Sequence, residues 1–174
     1  MLLKKPGTKE IALGGIMLAL SVLVLYMASM APTGRLSLYA MSSFFVSVIV
    51  IESGIKAGWL FYTASSLLSL LLIPDKLGLL PYFLFFGLYG LIKYYLEKIS
   101  NRVAEYLLKF VYFNLCLLLA WLLIKEVFLA LVELPISIRL IVIALQVVFF
   151  IYDWVYSLVI QAYRDRIRKI LKLK

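Results

Sequence analysis

The longest segment without a charged residue, 11–34, restricts the fold more than any other feature of the sequence. A helix needs about 20 consecutive apolar residues to cross the hydrocarbon core of a bilayer. This segment has 24 residues and ends in a Pro-Thr-Gly turn signal, so it is long enough to span a membrane once. Hydrophobic residues make up 65% of the chain, against roughly half in soluble domains. The sequence therefore predicts an integral membrane protein.

Further apolar segments, separated by short polar turns, predict an all-α integral membrane protein with six transmembrane helices in one domain. The segment of mixed charge at 97–109 predicts an amphipathic connection that merges into the fifth helix. Segment 127–134 is compatible either with a continuation of the fifth helix or with an interfacial turn. The approximate predicted spans are 11–32, 37–52, 56–74, 79–96, 106–126 and 138–163.

Lysine and arginine residues predict the orientation of these helices, because cytoplasmic loops carry an excess of basic residues. Six spans place both termini on one side. Fourteen of the 18 basic residues lie on that side and four on the other, so we expect both termini to be cytoplasmic. The net charge of +9 is then explained by topology and does not indicate nucleic acid. We expect the basic tail, 164–174, to lie on anionic lipid headgroups.

The segment from 80 to 98 predicts a fourth helix with an aromatic stripe formed by Tyr82, Phe86 and Tyr89, which ends at Lys93. Gly87 and Gly90, three residues apart, would let a neighbouring helix approach closely. We expect the other helices to pack around this segment. Lys93 lies near the predicted cytoplasmic end, so we expect it to act as an interfacial anchor.

Polar side chains inside spans are costly and therefore mark candidate sites. Asp153 lies about halfway along the sixth helix, one heptad after Gln146, and Asn114 lies in the fifth helix, one heptad before Trp121. Asp153 is equally compatible with a ligand contact and with a structural pair to a basic residue or a tyrosine hydroxyl. For Asn114 an interhelical hydrogen bond is favoured over a substrate contact. The predicted substrate site comprises Tyr82, Phe86, Asn114, Trp121, Gln146, Phe150 and Asp153.

The first helix has a face of small residues, formed by Ala12, Gly15 and Ala19. Small residues at this spacing let the backbone of another helix come close, either within the chain or in a partner protein. The face is therefore compatible with internal packing and with the docking of a partner.

Catalytic and metal-binding motifs do not occur in the sequence. It has no histidine, one cysteine (Cys116), and no phosphate-binding loop, zinc-protease motif or paired catalytic carboxylates. We therefore expect no enzyme activity, no metal site and no cofactor.

Three segments together resemble the substrate-binding S components of energy-coupling factor transporters, the small vitamin-uptake proteins of prokaryotes. They are KEIALGGIMLAL at 9–20, the junction with Gly54 and Gly58, and FGLYG at 86–90. The resemblance implies a six-helix protein of a prokaryotic cell membrane. It also implies that Ala12, Gly15 and Ala19 dock onto a transmembrane coupling subunit driven by ATPases. A small-molecule substrate would bind in the outer half, beneath the loop at 32–35.

These observations favour a substrate-binding subunit of an uptake transporter, with an aromatic cavity for a small ring-containing, cationic or amphiphilic molecule. A structural or assembly protein of a cell-envelope complex is the alternative from another class. A lipid-handling protein with a groove open to the bilayer is a third possibility. A cavity lined by Tyr82, Trp121, Phe150 and Asp153 would favour binding, whereas a filled core would favour the structural role.

Overall fold

The computed structural model describes the backbone of residues 7–128 and 138–167 and the side chains of residues 7–123 and 141–165. Every regular element within these ranges is helical. The elements, in chain order, are α1 (Thr8–Met30), α2 (Arg35–Ser53), α3 (Ile55–Leu72), a π-helical turn (Tyr82–Phe86) that continues into α4 (Gly87–Leu96), α5 (Arg102–Phe128), and α6 (Ile138–Ala162), which ends in a second π-helical turn (Tyr163–Ile167).

Five of the described helices, α1, α2, α3, α5 and α6, are long and apolar enough to cross a membrane. The fourth helix, Tyr82–Leu96, is apolar but shorter. Its predicted span of 79–96 overlaps the turn at 76–79 by one residue, and Leu80 and Pro81 are helical just before the π-helical turn. The prediction of an all-helical fold is therefore confirmed for the described part of the chain, and its five long apolar helices indicate a multi-pass membrane protein.

Helix α5 begins four residues before the predicted span because Asn101 caps it. The Asn101 Oδ1 atom accepts hydrogen bonds from the backbone N–H groups of Val103 at 3.0 Å and Ala104 at 3.4 Å, as an N-cap side chain does. Much of the predicted amphipathic connection is therefore the first part of α5. The helix also continues through the charged pair at 125–126, whereas residues 129–134 lie outside the described residues.

The fourth helix packs against α2, α3 and α5, as the prediction of a central segment requires. Tyr82, Tyr89 and Leu91 are fully buried on it. Helix α2 is the second central element, because it contacts α1, α3, α4 and α6. Together, α2 and the fourth helix form the middle of the bundle.

Gly87 and Gly90 allow the close helix contacts that their spacing predicts. A Cβ atom on Gly87 would lie 2.7 Å from the ring of Tyr62 on α3. A Cβ atom on Gly90 would lie 2.5 Å from Ser47 Oγ and 2.7 Å from the Tyr156 hydroxyl oxygen. All three distances are shorter than a van der Waals contact, so larger residues do not fit unless these neighbouring side chains move.

Four hydrogen bonds between side-chain hydroxyl groups join the central helices to their neighbours. Each bond pairs a serine with a tyrosine or with another serine. In a membrane such bonds hold helices together, since the surrounding lipid offers no competing partner. The pairs are Ser21 with Ser42 at 2.7 Å, Ser43 with Tyr152 at 2.9 Å, Ser47 with Tyr156 at 2.6 Å and Ser65 with Tyr82 at 2.8 Å. Helix α2 contributes to three of the four pairs and thereby connects α1 to α6.

The π-helical turn at Tyr82–Phe86 is held by side chains from its neighbours. The Gly87 N–H group donates to the Tyr82 carbonyl oxygen, five residues earlier in the chain. The carbonyl oxygens of Phe83 and Leu84 accept bonds from other helices, from the Tyr62 hydroxyl at 2.8 Å, and from the Tyr112 hydroxyl and Cys116 Sγ at 3.1 Å each. Contacts with α3 and α5 therefore stabilise the wider turn.

We expect Gly90→Ala to destabilise the bundle by about 1–3 kcal/mol, because the added methyl group would separate the hydrogen-bonded Ser47 and Tyr156. Gly14→Ala is the matched control, since a Cβ atom there meets nothing within 4 Å. Thermal unfolding of both variants in detergent tests this. Equal melting temperatures for the two variants would show that the helices at Gly90 are not tightly packed.

Candidate functional site

Asp153 on α6 lies in a group of buried charges. Its Oδ1 atom accepts hydrogen bonds at 2.5 Å from Lys93 Nζ on α4 and at 2.5 Å from the Tyr89 hydroxyl. Its Oδ2 atom lies 3.2 Å from Lys109 Nζ on α5. Asp153 is 6% exposed, and each lysine is 2% exposed. One carboxylate therefore joins α4, α5 and α6 away from solvent.

Further polar groups complete the arrangement around the two lysines. Lys93 Nζ lies 2.9 Å from Glu97 Oε1 and donates to Ser157 Oγ at 2.9 Å. Lys109 Nζ donates to Glu105 Oε1 at 2.8 Å. Since an unpaired charge in an apolar interior is very costly, these pairs are needed for the lysines to remain charged there. We refer to Tyr89, Lys93, Glu97, Glu105, Lys109, Asp153 and Ser157 as the charge cluster.

The charge cluster corrects one prediction and decides how Asp153 is held. Asp153 is bonded to both a basic residue and a tyrosine hydroxyl group, which are the two partners that a structural role predicts for it. The prediction that Lys93 is an interfacial anchor is wrong, because its side of α4 faces α6 and its ammonium group is buried against the carboxylate. Both oxygens of Asp153 are already engaged, which leaves little capacity for a polar ligand.

Lys109 and Glu105 belong to the charge cluster but were not predicted as site residues. Both lie in the segment that the sequence assigned to a surface connection. A signal was present, because Glu105, Lys109, Phe113 and Cys116 follow one another at helical spacing and form one buried stripe of α5. Two charged residues at the start of an otherwise apolar stripe indicate buried charges.

An apolar cavity of about 440 Å³ lies between the first turns of α2, the π-helical turn of the fourth helix, α5 and α6. We call it the outer cavity, because the predicted orientation places the Arg35 end of the bundle, where this cavity lies, outside the cell. Its wall is formed by Leu36, Ser37, Ala40, Pro81, Leu84, Phe85, Phe86, Phe113, Cys116, Leu117, Ala120, Leu145, Val148, Phe149, Ile151, Tyr152 and Val155. The lining is almost entirely apolar, with five aromatic rings.

Stacked aromatic rings separate the outer cavity from the charge cluster. Phe113 and Phe149 stack with their ring centroids 4.5 Å apart, and Phe85 contacts both rings edge to face. The ring of Tyr89 lies 5.9 Å from Phe149, and its hydroxyl donates to Asp153. Tyr89 therefore contacts the cavity wall on one side and the buried carboxylate on the other.

The seven predicted substrate residues lie in different places, and the structure does not bring them into one cavity. Phe86 lines the outer cavity. Tyr82 is fully buried between helices and bonds Ser65 on α3, whereas Asp153 belongs to the charge cluster. The Asn114 and Gln146 amides bond each other at 3.0 Å, which is the interhelical hydrogen bond favoured for Asn114.

Trp121 and Phe150 point away from the core, with 49% and 55% of their surfaces exposed. The buried positions of α6 include Phe149, Asp153 and Tyr156, which share one face at helical spacing. Phe150 follows Phe149 by one residue, so its side chain points about 100° away from this buried face. Sequence reasoning placed it with its neighbours because it did not fix which face of α6 turns inward.

The small face of α1 is open in this chain. Ala12, Gly15 and Ala19 are all exposed, and a Cβ atom on Gly15 would meet nothing within 4 Å. Within the described residues, no other helix therefore uses this face for close packing. Of the two interpretations of the face, internal packing does not apply to these three residues.

Comparison with known proteins adds no family to this description. No family model, no curated protein and no solved structure matches the chain. Within the described residues, no group of three or more His, Cys, Asp or Glu side chains is placed to hold a metal ion. The features of the chain that bear on its function are the outer cavity, the charge cluster and the open face of α1.

We expect Asp153→Asn to destabilise the protein by about 3–5 kcal/mol, because it removes a charge from a buried pair and leaves two lysines with less compensation. The matched control is Asp75→Asn, which breaks the partly exposed pair with Arg35 and should cost about 0–1 kcal/mol. Thermal unfolding in detergent measures both effects.

A double-mutant cycle tests whether the loss at Asp153 arises from pairing. Because the two side chains are in contact, Asp153→Asn combined with Lys93→Gln should cost less than the sum of the single changes. Strictly additive losses would mean that the two side chains do not stabilise each other.

Proposed function

We propose that this protein is a membrane binding protein that captures a small, uncharged apolar or amphiphilic molecule in the outer cavity and serves as the substrate-binding subunit of an uptake transporter. The observation that carries the proposal is the outer cavity itself. Its volume of about 440 Å³ lies in the range of small-molecule sites, which are mostly apolar clefts of about 300–1,000 Å³.

The lining of the outer cavity indicates the chemistry of the ligand. The rings of Phe85, Phe113 and Phe149 offer flat apolar surfaces, and Ser37 offers one hydroxyl group at the rim. Asp153 already pairs with two lysines, so no free carboxylate favours a cation. A ring-containing vitamin-like compound without a positive charge fits these groups better than the cationic ligand that the sequence allowed.

The topology that we propose places both termini in the cytoplasm of a prokaryotic cell and the outer cavity on the opposite side. The excess of basic residues at the end of the bundle that holds Lys56, Lys98 and Arg164 supports this orientation. A substrate would then enter from outside. The basic tail would face the anionic lipids of the inner leaflet.

The open face of α1 supports a second part of the proposal, which is docking to a transmembrane coupling subunit driven by ATPases. Ala12, Gly15 and Ala19 leave a shallow surface on which the backbone of a partner helix could lie. The partner itself is suggested by the resemblance to S components. Binding and docking would then use opposite parts of one small protein.

Lipid handling is a second candidate function, favoured by the rim of the outer cavity. Leu36, Val148 and Ile151 line the cavity and are each more than half exposed. A chain or ring could therefore enter sideways from the bilayer. A structural role in a cell-envelope complex would instead leave the cavity without a specific ligand.

Ala120→Phe should reduce ligand binding about tenfold, because the added ring occupies the outer cavity. Leu119→Phe is the control, since Leu119 is on the exposed side of the same helix. Mass spectrometry of the purified protein identifies a co-purified molecule, and thermal stabilisation by a panel of vitamins measures binding. A phospholipid or fatty acid in the cavity would favour lipid handling, and no ligand with no stabilisation would contradict both binding functions.

Gly15→Leu should abolish co-purification of a coupling subunit and its ATPases while leaving ligand binding unchanged, because the larger side chain fills the open face of α1. Gly14→Leu, also with free space at Cβ, is the matched control on a neighbouring face. Pull-down from membranes that contain the subunits measures the complex. Unchanged recovery of the complex with Gly15→Leu would rule out docking through this face.

A further inference from the structure

Two adjoining cavities lie at the end of the bundle opposite the outer cavity, between α2, α4 and α6. One, of about 250 Å³, has a mixed polar and apolar surface, and its polar part is formed by residues that include Lys93, Glu97, Lys98 and Arg164. The other, of about 180 Å³, is entirely apolar and is bordered by residues such as Phe44, Val159 and Ala162. Both cavities share the wall residues Ser47, Ile51 and Ile160, so they adjoin each other where α2 meets α6. We call the two cavities together the inner groove.

The polar part of the inner groove has an excess of positive charge. The three hydrogens of the Lys93 ammonium group already have three acceptors in Asp153, Glu97 and Ser157. Lys98 and Arg164 form no salt bridge with any described residue. Both side chains are exposed, and they remain available for an anion.

The single carboxylate at this part of the groove does not cancel these charges. Glu97 Oε1 lies 2.9 Å from Lys93 Nζ and 4.0 Å from Lys109 Nζ, so it is engaged with the charge cluster. Lys98 Nζ lies 4.1 Å from the ring centroid of Tyr94, which holds the ammonium group beside the groove by a cation–π contact. An anion between Lys98 and Arg164 would therefore meet two cations that lack a carboxylate partner.

We propose that the inner groove binds one anionic phospholipid, with its phosphate between Lys98 and Arg164 and an acyl chain along the apolar part between α2 and α6. A guanidinium group and an ammonium group are the usual partners of a phosphate. The apolar part, which presents no polar surface, suits a hydrocarbon chain and offers nothing to a free phosphate ion. A phospholipid carries both an anionic phosphate and a hydrocarbon chain, so it matches the charged part and the apolar part of the groove together.

The position of the inner groove agrees with this ligand. It lies at the end of the bundle where most basic residues are found, and anionic lipids are concentrated in the leaflet that such ends face. The site is separate from the outer cavity, and it differs from the general attraction of the basic tail for the membrane surface although Arg164 is the first residue of that tail. It requires a defined lipid between three helices, whereas surface attraction requires only net charge.

Binding of phosphatidylglycerol to the full chain in detergent, measured by native mass spectrometry, tests the proposal. We expect saturable binding of one lipid, with phosphatidylcholine binding more weakly. Lys98→Gln and Arg164→Gln should each weaken phosphatidylglycerol binding about fivefold, since each basic side chain near a membrane surface contributes about that factor. Lys56→Gln, which removes the same charge outside the groove, should leave binding unchanged.

The apolar part of the inner groove has a separate test. Ala162→Phe should weaken phosphatidylglycerol binding without a change of charge, because the ring occupies the place of the acyl chain. Equal losses in the Lys56 and Lys98 variants would mean diffuse surface attraction and would overturn the proposal. Competition by inorganic phosphate at millimolar concentration, or an unchanged affinity in Ala162→Phe, would identify a free anion site and overturn it as well.

Discussion

The cost of placing charges in an apolar medium governs the arrangement of α4, α5 and α6. An isolated ion in a membrane interior is unfavourable by several kcal/mol. That cost is offset when the ion is paired with an opposite charge and accepts or donates hydrogen bonds. The Asp153 carboxylate bonds Lys93 and Tyr89 and lies beside Lys109, so each of these three helices needs the other two. Lipid cannot substitute for any of these partners, which makes the mutual position of the helices specific.

The remaining helices are joined by hydrogen bonds between uncharged hydroxyl groups, which are weaker than the charged interactions around Asp153. Helix α2 binds α1 and α6 through serine hydroxyl groups, each of which needs one partner and carries no charge. At the Ser47–Tyr156 pair, Gly90 on α4 leaves open the space that a Cβ atom would take from the two hydroxyl groups. The bundle thus combines a charged half and a neutral polar half, and Tyr156 links them because it bonds Ser47 and packs on Tyr89.

Sequence reasoning succeeded where a property depends on composition along the chain. Lengths of apolar segments predict the helices, and a lone acid such as Asp153 in a span predicts a special position. It failed where the property depends on which face of a helix turns inward, as for Phe150 and Trp121, since heptad spacing leaves the rotation of the helix open. It also failed for Lys93 and Lys109, because a basic residue near the end of a helix is equally compatible with snorkelling to water until the opposing acid is located.

The π-helical turn at Tyr82–Phe86 determines how the two ends of the fourth helix are rotated relative to each other. A π-helical turn holds one residue more than an α-helical turn, which corresponds to about 100° of rotation. Tyr82, at the start of this turn, bonds Ser65 on α3, whereas Phe85, Tyr89 and Lys93 follow at steps of four residues and face the outer cavity and Asp153. The extra residue therefore rotates Tyr82 relative to the residues that follow it, so that one short helix contacts α3 at its start and α6 further along.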